Sequence, residues 1–332
     1  MTGARPRDVV VVGGSAGALN AFITLISGLP GGFGAALLVA FHIGRRPSLL
    51  AEVLARSGPL PVAWAKDGEP IRRGRILVAP PDYHLLLEAG RVKLSRGPRE
   101  NNTRPAVDPL FRSAAFAYGP RVIGLILSGA LSDGTAGFAE IKRCGGLTLV
   151  QEPQEAKFPS MPLSALRYTR VDHRVPVAEM ADLIVGLSGA EPRDEAAEWP
   201  EVPKPDRGGE GGMTGGYDLK QPVALTCPAC GGALADTTED TLPYFTCHIG
   251  HRFAAADMDE AQFRQVENAL EVALRTLNER SAFSRRFAEA ARARGSPRSA
   301  SRWDAAAEEA EERAEVLRQF VEKGWQRPDL GE

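Results

Sequence analysis

Apolar positions in the first 190 residues fall into short continuous runs separated by stretches of helical spacing. Val9 to Val12, Leu37 to Phe41, Ile76 to Ala79, Val122 to Leu127 and Leu147 to Gln151 are each closed by glycine or polar turn residues. Runs of this length, rich in β-branched residues and lacking alternation, predict parallel strands buried on both faces; Ile76 to Ala79, inside the interrupting region Val62 to Ser95, predicts a short strand only. Between them the spacing predicts helices over Leu19 to Ile26, Thr135 to Arg143 and Ala178 to Leu187. A further helix is predicted over Asp108 to Tyr118, with Asp108 as N-cap and Pro109 in its first turn. Strands alternating with helices imply an α/β fold, a doubly wound and mostly parallel sheet with helices on both faces. Val62 to Ser95 interrupts the alternation, and there His84 to Glu88 and Arg91 to Leu94 predict a hairpin turning at Ala89-Gly90.

The pattern changes after residue 189. Residues 190–222 are rich in Pro, Glu and Gly and too poor in apolar residues for a core, so they predict a flexible linker. Residues 223–255 hold two short cysteine turns. Residues 256–324 then carry two amphipathic stripes, Phe263, Val266, Leu270, Ala273 and Leu277, and Trp303, Ala307, Ala310, Leu317 and Phe320. The break at Gly295-Ser296-Pro297 predicts an antiparallel helical hairpin, available for self-association or for docking to a partner. With 332 residues the chain exceeds one ordinary core, in keeping with a catalytic-type domain over 1–189 and the smaller parts after it.

Charge narrows the function classes. A formal net charge of −2 with no basic block argues against nucleic-acid binding. No apolar run reaches spanning length, so membrane insertion is not expected and the expected compartment is the cytoplasm. Four cysteines are too few for a disulfide scaffold.

The first turn carries the chemistry. Gly13-Gly14-Ser15-Ala16-Gly17 fits G-x-S-x-G, in which glycines let a strand bend sharply into a helix and expose the serine hydroxyl. A dinucleotide fold also opens with a strand and a glycine turn, but it places Asp or Glu at the end of its second strand. Here that position is His42, the base a serine nucleophile requires. Asp133, just past the fourth strong strand, falls on the same sheet edge and completes a Ser15, His42, Asp133 constellation. The competing readings make Ser15 and Asp133 helix caps.

In order along the chain come Gly14-Ser15-Ala16-Gly17, Phe41-His42, Ala79-Pro80-Pro81-Asp82-Tyr83-His84, Arg104 to Ala115, Ser128 to Gly134, and Gln151 with Ser160-Met161-Pro162. In these pieces residues 8–188 resemble the catalytic domain of the CheB-type protein-glutamate methylesterases of chemotaxis. The resemblance implies a cofactor-independent serine esterase that hydrolyses glutamyl methyl esters on methylated chemoreceptor-like proteins, with glutamine deamidation as a side activity. It implies Ser15 as nucleophile, His42 as base and Asp133 as the orienting carboxylate. Two departures bear on this. The usual threonine after the nucleophile is Ala16, and the usual Gly-Met-Gly before the aspartate reads Gly129-Ala130-Leu131. Backbone N–H groups of Ala16 and Ala130 remain available to an oxyanion, since donation needs no side chain. The alternative function is a non-enzymatic scaffold or sensor that retains the esterase fold. No receiver domain stands before Val9, so phosphodonors are expected to leave the rate unchanged.

Arg45, Arg46, Arg104 and Arg112 are candidates for a basic rim that attracts carboxylate-rich receptor helices, with a merely solvated surface as the competing reading. His84 and His173 read as structural or surface histidines, and Cys144 as a buried thiol. Cys227-x-x-Cys230 followed by Cys247 and His251 has the donor types and spacing of a small structural zinc site, expected to bind one ion. His251 suits the fourth position better than His248, whose adjacency to Cys247 turns it away from a shared ion. Because the linker is long, this ribbon is expected to fold on its metal without affecting the esterase domain.

Overall fold

The computed structural model describes residues 6–188, 222–238 and 242–322, so most of the expected linker lies outside the described residues. From the N-terminus, β1 (Val9–Gly14), α1 (Ala18–Ser27), β2 (Ala36–Phe41), α2 (Leu50–Ala55), β3 (Val62–Trp64) and β4 (Ile76–Val78) build one half of a sheet. A hairpin of β5 (His84–Glu88) and β6 (Arg91–Ser95) follows. Then α3 (Val107–Tyr118), β7 (Val122–Ile126), α4 (Thr135–Arg143), β8 (Leu147–Gln151), α5 (Ser160–Tyr168), β9 (His173–Val175) and α6 (Met180–Ser188) build the other half. The strand order is β3-β4-β2-β1-β7-β8-β9, with every neighbouring pair parallel. The chain winds outward from β1, then crosses back to resume at β7, which opens a crevice at the carboxyl ends of the central strands.

All residues of β1, β2 and β7 are buried, which is why their sequences run apolar without a break. The two faces still separate with period two. Val10, Val12, Leu37 and Val39 pack with Phe22, Leu25 and Ile184, while Val9, Val11 and Leu38 pack with Phe111, Phe138 and Met161. The Phe111 and Phe138 rings stack at 5.5 Å. Truncating such a buried ring costs about 3–5 kcal/mol. Four elements, α2, β3, α5 and β9, have no counterpart in the hydrophobic pattern, because β3 and β9 span 3 residues each and α2 only 6, too few for a period to register; α5 opens on the polar Ser160 with Pro162 inside its first turn.

Near the C-terminus β10 (Pro222–Thr226), β11 (Ala233–Asp236), β12 (Tyr244–Cys247) and β13 (Arg252–Ala254) form an antiparallel sheet in that order. The described residues up to Met258 cluster as one unit. The edge strand β13 runs along the segment before α3: the Arg252 N–H donates to the Arg99 carbonyl (3.3 Å) and the Asn101 N–H donates to the Arg252 carbonyl (2.8 Å). This corrects the expectation of a ribbon independent of the esterase domain. Linker flexibility does not decide the matter, because the open edge of β13 leaves backbone groups that need partners and the 99–101 segment supplies them.

Among the described residues, 259–322 form a second unit. Helices α7 (Ala255–Ala293) and α8 (Pro297–Glu322) turn back on each other at Gly295, whose φ is 72°. Glu311 accepts hydrogen bonds from Ser281 Oγ (2.6 Å) and Arg285 Nε (2.8 Å), which sets the two helices antiparallel as predicted. Buried Ala288, Ala291, Ala300, Ala307 and Ala310 let the axes approach, and Phe283, Phe287 and Trp303 gather into an aromatic cluster. The predicted stripe from Phe263 to Leu277 precedes these contacts, and its Val266 is exposed.

Candidate active site

Ser15 follows β1 directly, and Gly17, at φ 80°, lets the chain turn into α1. Gly14 pairs with Phe41, and the His42 N–H donates to the Gly14 carbonyl (3.3 Å), so Ser15 and His42 emerge side by side from adjacent strands. The Ser15 N–H donates to the Ser128 carbonyl (3.0 Å), which pins the turn against the loop after β7. That loop passes so close that a Cβ on Gly129 would lie 2.0 Å from Met161 Sδ and 3.0 Å from Ser15 Cβ. The loop is held from behind by Gln151 Oε1, which accepts the Ser128 N–H (2.8 Å), and by the Gly129 carbonyl, which accepts the Met161 N–H (3.0 Å). Ser15 and Gly129 thus have their N–H groups engaged, whereas those of Ala16 and Ala130 have no partner among the described residues.

Asp133 is fully buried and surrounded by donors. Its Oδ2 accepts from His42 Nε2 (2.7 Å) and the Val107 N–H (2.7 Å), and its Oδ1 accepts from Asn101 Nδ2 (2.9 Å) and the Asp108 N–H (3.2 Å). The carboxylate therefore caps the N-terminus of α3, whose dipole favours negative charge, and not the helix that follows it in sequence. Burial works against ionisation, but hydrogen bonds from His42, Val107 and Asn101 together with the His42 imidazole hold the carboxyl below its usual range. An ionised Asp133 requires the imidazole proton on Nε2, which leaves the Nδ1 lone pair of His42 free.

Two further buried carboxyls lie beside it. Asp108 is not an N-cap: α3 begins at Val107 with Ala106 as cap residue. Asp108 Oδ1 accepts the Gly137 N–H (2.7 Å), and its Oδ2 accepts Asn101 Nδ2 (2.9 Å) and lies 3.3 Å from the Tyr244 hydroxyl of β12. Burial and the neighbouring Asp133 charge push Asp108 up to about 7. Asp257 accepts from Ser132 Oγ (2.6 Å), and burial raises it well above the ordinary carboxyl range. Of the three, Asp133 is the one whose surroundings favour the anion.

Among the expected rim arginines, Arg45, Arg46 and Arg104 line a cavity of about 600 Å³ together with Arg99 and Ile43, the residue after His42 in sequence; His42 itself is not part of its lining. Arg112 does not line it. Its guanidinium bonds both oxygens of Glu100 (2.7 and 2.9 Å) between α3 and the residue 100 segment. Arg104 is partly spent on Asp82 and on the carbonyls of Arg96 and Gly97. Hydrogen bonds from Arg96 and Arg104 hold Asp82 down at about 2. His84 is buried between the Pro98 carbonyl and the Ala106 N–H, and burial lowers its pKa, consistent with a neutral structural ring. Cys144 is buried, and His173 lies in β9.

The donor atoms of Cys227, Cys230, Cys247 and His251 all lie within 4.8 Å of one another. Cys230 Sγ is 3.7 Å from Cys247 Sγ, and His251 Nδ1 is 3.7 Å and 3.5 Å from Cys227 and Cys247 Sγ. A tetrahedron with metal–sulfur arms of about 2.3 Å has edges of about 3.7 Å, close to these three distances, so this cluster could hold a metal ion.

Asn101, Tyr244, Asp257 and Arg99 went unnoticed in the sequence, where Asp108 reads only as a helix cap. Asn101 sits in a polar Glu100-Asn101-Asn102-Thr103 stretch that reads as an ordinary turn, and both asparagines adopt positive φ, 50° and 61°. Only the fold reveals that the Asn101 side chain is buried.

Residues 10–184 match the CheB methylesterase family. A chain of Leptospira interrogans whose name carries both protein-glutamate methylesterase and protein-glutamine glutaminase is 38% identical over 182 residues, 54% of this chain and 94% of that one. Protein-glutamate methylesterase/protein-glutamine glutaminase 2 of Anaeromyxobacter dehalogenans is 40% identical over 52% of this chain and 51% of its own length. The crystal structure of the Thermotoga maritima CheB methylesterase catalytic domain aligns with a TM-score of 0.52 at 31% identity, covering 56% of this chain and 100% of that domain. The chain thus spans nearly all of the Leptospira relative and about half of the longer one. Among the described residues no helix is long and apolar enough to cross a membrane.

Proposed function

The chain belongs to the CheB methylesterase family, and from that premise we propose that it hydrolyses glutamyl methyl esters on methylated chemoreceptor-like proteins, using Ser15, His42 and Asp133. Ser15 Oγ attacks the ester carbonyl while His42 Nδ1 accepts its proton. The tetrahedral adduct collapses to an acyl-serine and methanol, which takes the proton back from His42. Water then adds through the same base and releases the free glutamate. A primary amide in place of the ester would release ammonia, the glutaminase activity in the names of the relatives.

The observation that carries this reading is the 2.7 Å contact of His42 Nε2 with a buried carboxylate that accepts three further hydrogen bonds. The unengaged N–H groups of Ala16 and Ala130 suit the developing oxyanion. Arg45, Arg46, Arg99 and Arg104, which line one cavity with Ile43, suit a carboxylate-rich receptor helix. For the ribbon, three thiolates and an imidazole favour Zn²⁺, a structural ion with no part in ester chemistry. A fluorophosphonate probe tests the nucleophile: it should label Ser15 in the folded protein and leave Ser15→Ala unlabelled. An unlabelled Ser15 in folded wild-type protein overturns the enzyme reading and favours a scaffold.

A further inference from the structure

The hairpin of β12 and β13 joins the two sites described above. Its turn carries two of the metal-type donors, Cys247 and His251, which are bonded to each other through the Cys247 N–H and the His251 carbonyl (3.0 Å). Its strands carry the contacts to the catalytic edge. The Asn101 N–H donates to the Arg252 carbonyl (2.8 Å), and Asn101 Oδ1 accepts the Ala254 N–H (3.0 Å). Asn101 Nδ2 then donates to Asp133 Oδ1 and Asp108 Oδ2, both at 2.9 Å. The hairpin holds Asn101 at its backbone N–H and at its Oδ1, and the amide nitrogen, shared with Asp108, meets the carboxylate that faces His42. The segment has little propensity to hold this pose alone, since both Asn101 and Asn102 lie at positive φ.

We infer that metal loading of the Cys227, Cys230, Cys247 and His251 site controls the esterase, because it locks the hairpin that holds Asn101 as a positioning residue on Asp133. The inference rests on the triad reading above. A divalent, borderline-soft cation such as Zn²⁺ closes the hairpin turn by binding both of its donors together with the Cys227 turn. Without the ion, clustered thiols and an imidazole have no common partner, the turn opens and Asn101 loses the Ala254 N–H. Asp133 keeps His42 and two backbone donors, so the chemistry weakens without disappearing. Losing one hydrogen bond to a charged group corresponds to about a ten- to hundredfold fall in kcat.

The test strips Zn²⁺ from the full chain with a chelator, checks metal content by mass spectrometry, and follows hydrolysis of p-nitrophenyl acetate. Proton NMR of the His42 Nε2–H in its bond to Asp133 is recorded in parallel, a readout that does not depend on turnover. Stripped protein should lose kcat by about ten- to hundredfold with KM nearly unchanged. The downfield His42 proton should broaden, and both changes should reverse on adding Zn²⁺ alone. Ala254→Pro, which removes the N–H to Asn101 and leaves the four donors in place, should keep its metal, show the same loss, and lose nothing more on chelation. An emptied site with unchanged kcat and an unchanged His42 proton overturns the inference, as does Ala254→Pro with wild-type kcat, or protein that neither contains nor binds Zn²⁺. If the loaded protein has no esterase activity, the triad reading has failed, and the His42 proton alone then decides the coupling.

Discussion

In the parallel sheet, β1, β2 and β7 bury every one of their residues, whereas the ribbon buries mainly Leu234, Ala235, Tyr244, Phe253 and Ala254 and gathers three thiols and an imidazole instead. The sheet positions Ser15 and His42 by backbone register between neighbouring strands, a geometry that apolar burial on both faces makes stiff. The ribbon positions Asn101 by a few hydrogen bonds from one edge strand. The first arrangement is stable by itself, while the second depends on whatever closes a small core. In the proposed mechanism the rigid half performs the chemistry and the conditional half steadies it.

The comparison breaks most sharply at Asp133, which belongs to the rigid half but takes one donor from the conditional one. Asp133→Asn should cost about 10⁴-fold in kcat, the size of the equivalent loss in a serine protease. Its amide would also face a ring of donors, lowering stability by about 1–3 kcal/mol. Steady-state kinetics and thermal unfolding of the same preparation check both halves of this expectation. A rate loss below tenfold would make Asp133 a cap of α3 and nothing more.

A smaller effect sharpens the same contrast. Asp108, at the joint with Tyr244, is pushed up to about 7 by burial and the Asp133 charge, against about 3.9 in an unfolded chain. Between those values the folded protein holds a proton that the unfolded chain has released, so stability falls as pH rises from about 4 to about 7. The lowered carboxyls, Asp133 and Glu100, act the other way: their stabilisation is present above their unfolded values and is lost as pH falls below them, outside this window. Arg112 and Tyr244, which face Asp108, do not titrate in it either, since both are raised. Melting temperatures between pH 5 and pH 8 should fall more steeply for the wild type than for Asp108→Asn; Asp257 adds to the fall in both proteins, and His84, lowered by burial, opposes it in both. Parallel curves would mean that Asp108 is already ionised in the folded state.

What could be read from the sequence follows the same division. Unbroken apolar runs announced β1, β2 and β7, and the residues just past their ends, Ser15, His42 and Asp133, could be placed on one edge because parallel strands share a direction. Cysteine spacing announced the cluster of Cys227, Cys230, Cys247 and His251, since residues on two tight turns leave a local pattern. Asn101 left none, as its role arises from a contact with Ala254, 153 residues further on. Arg112 misled because an exposed and a buried arginine look the same until Glu100 is placed beside it. Leu131 shows the limit from the other side: a non-glycine at φ 65° stands where the family pattern has glycine, a backbone strain that propensity alone would not have allowed.

Methanol release from purified, methylated chemoreceptors of the same cell, compared between the wild-type chain and Ser15→Ala, tests the central claim most directly. The account predicts stoichiometric methanol with the wild type and none above the receptor-only background with Ser15→Ala. Equal release by the two proteins, or none by either, would contradict it.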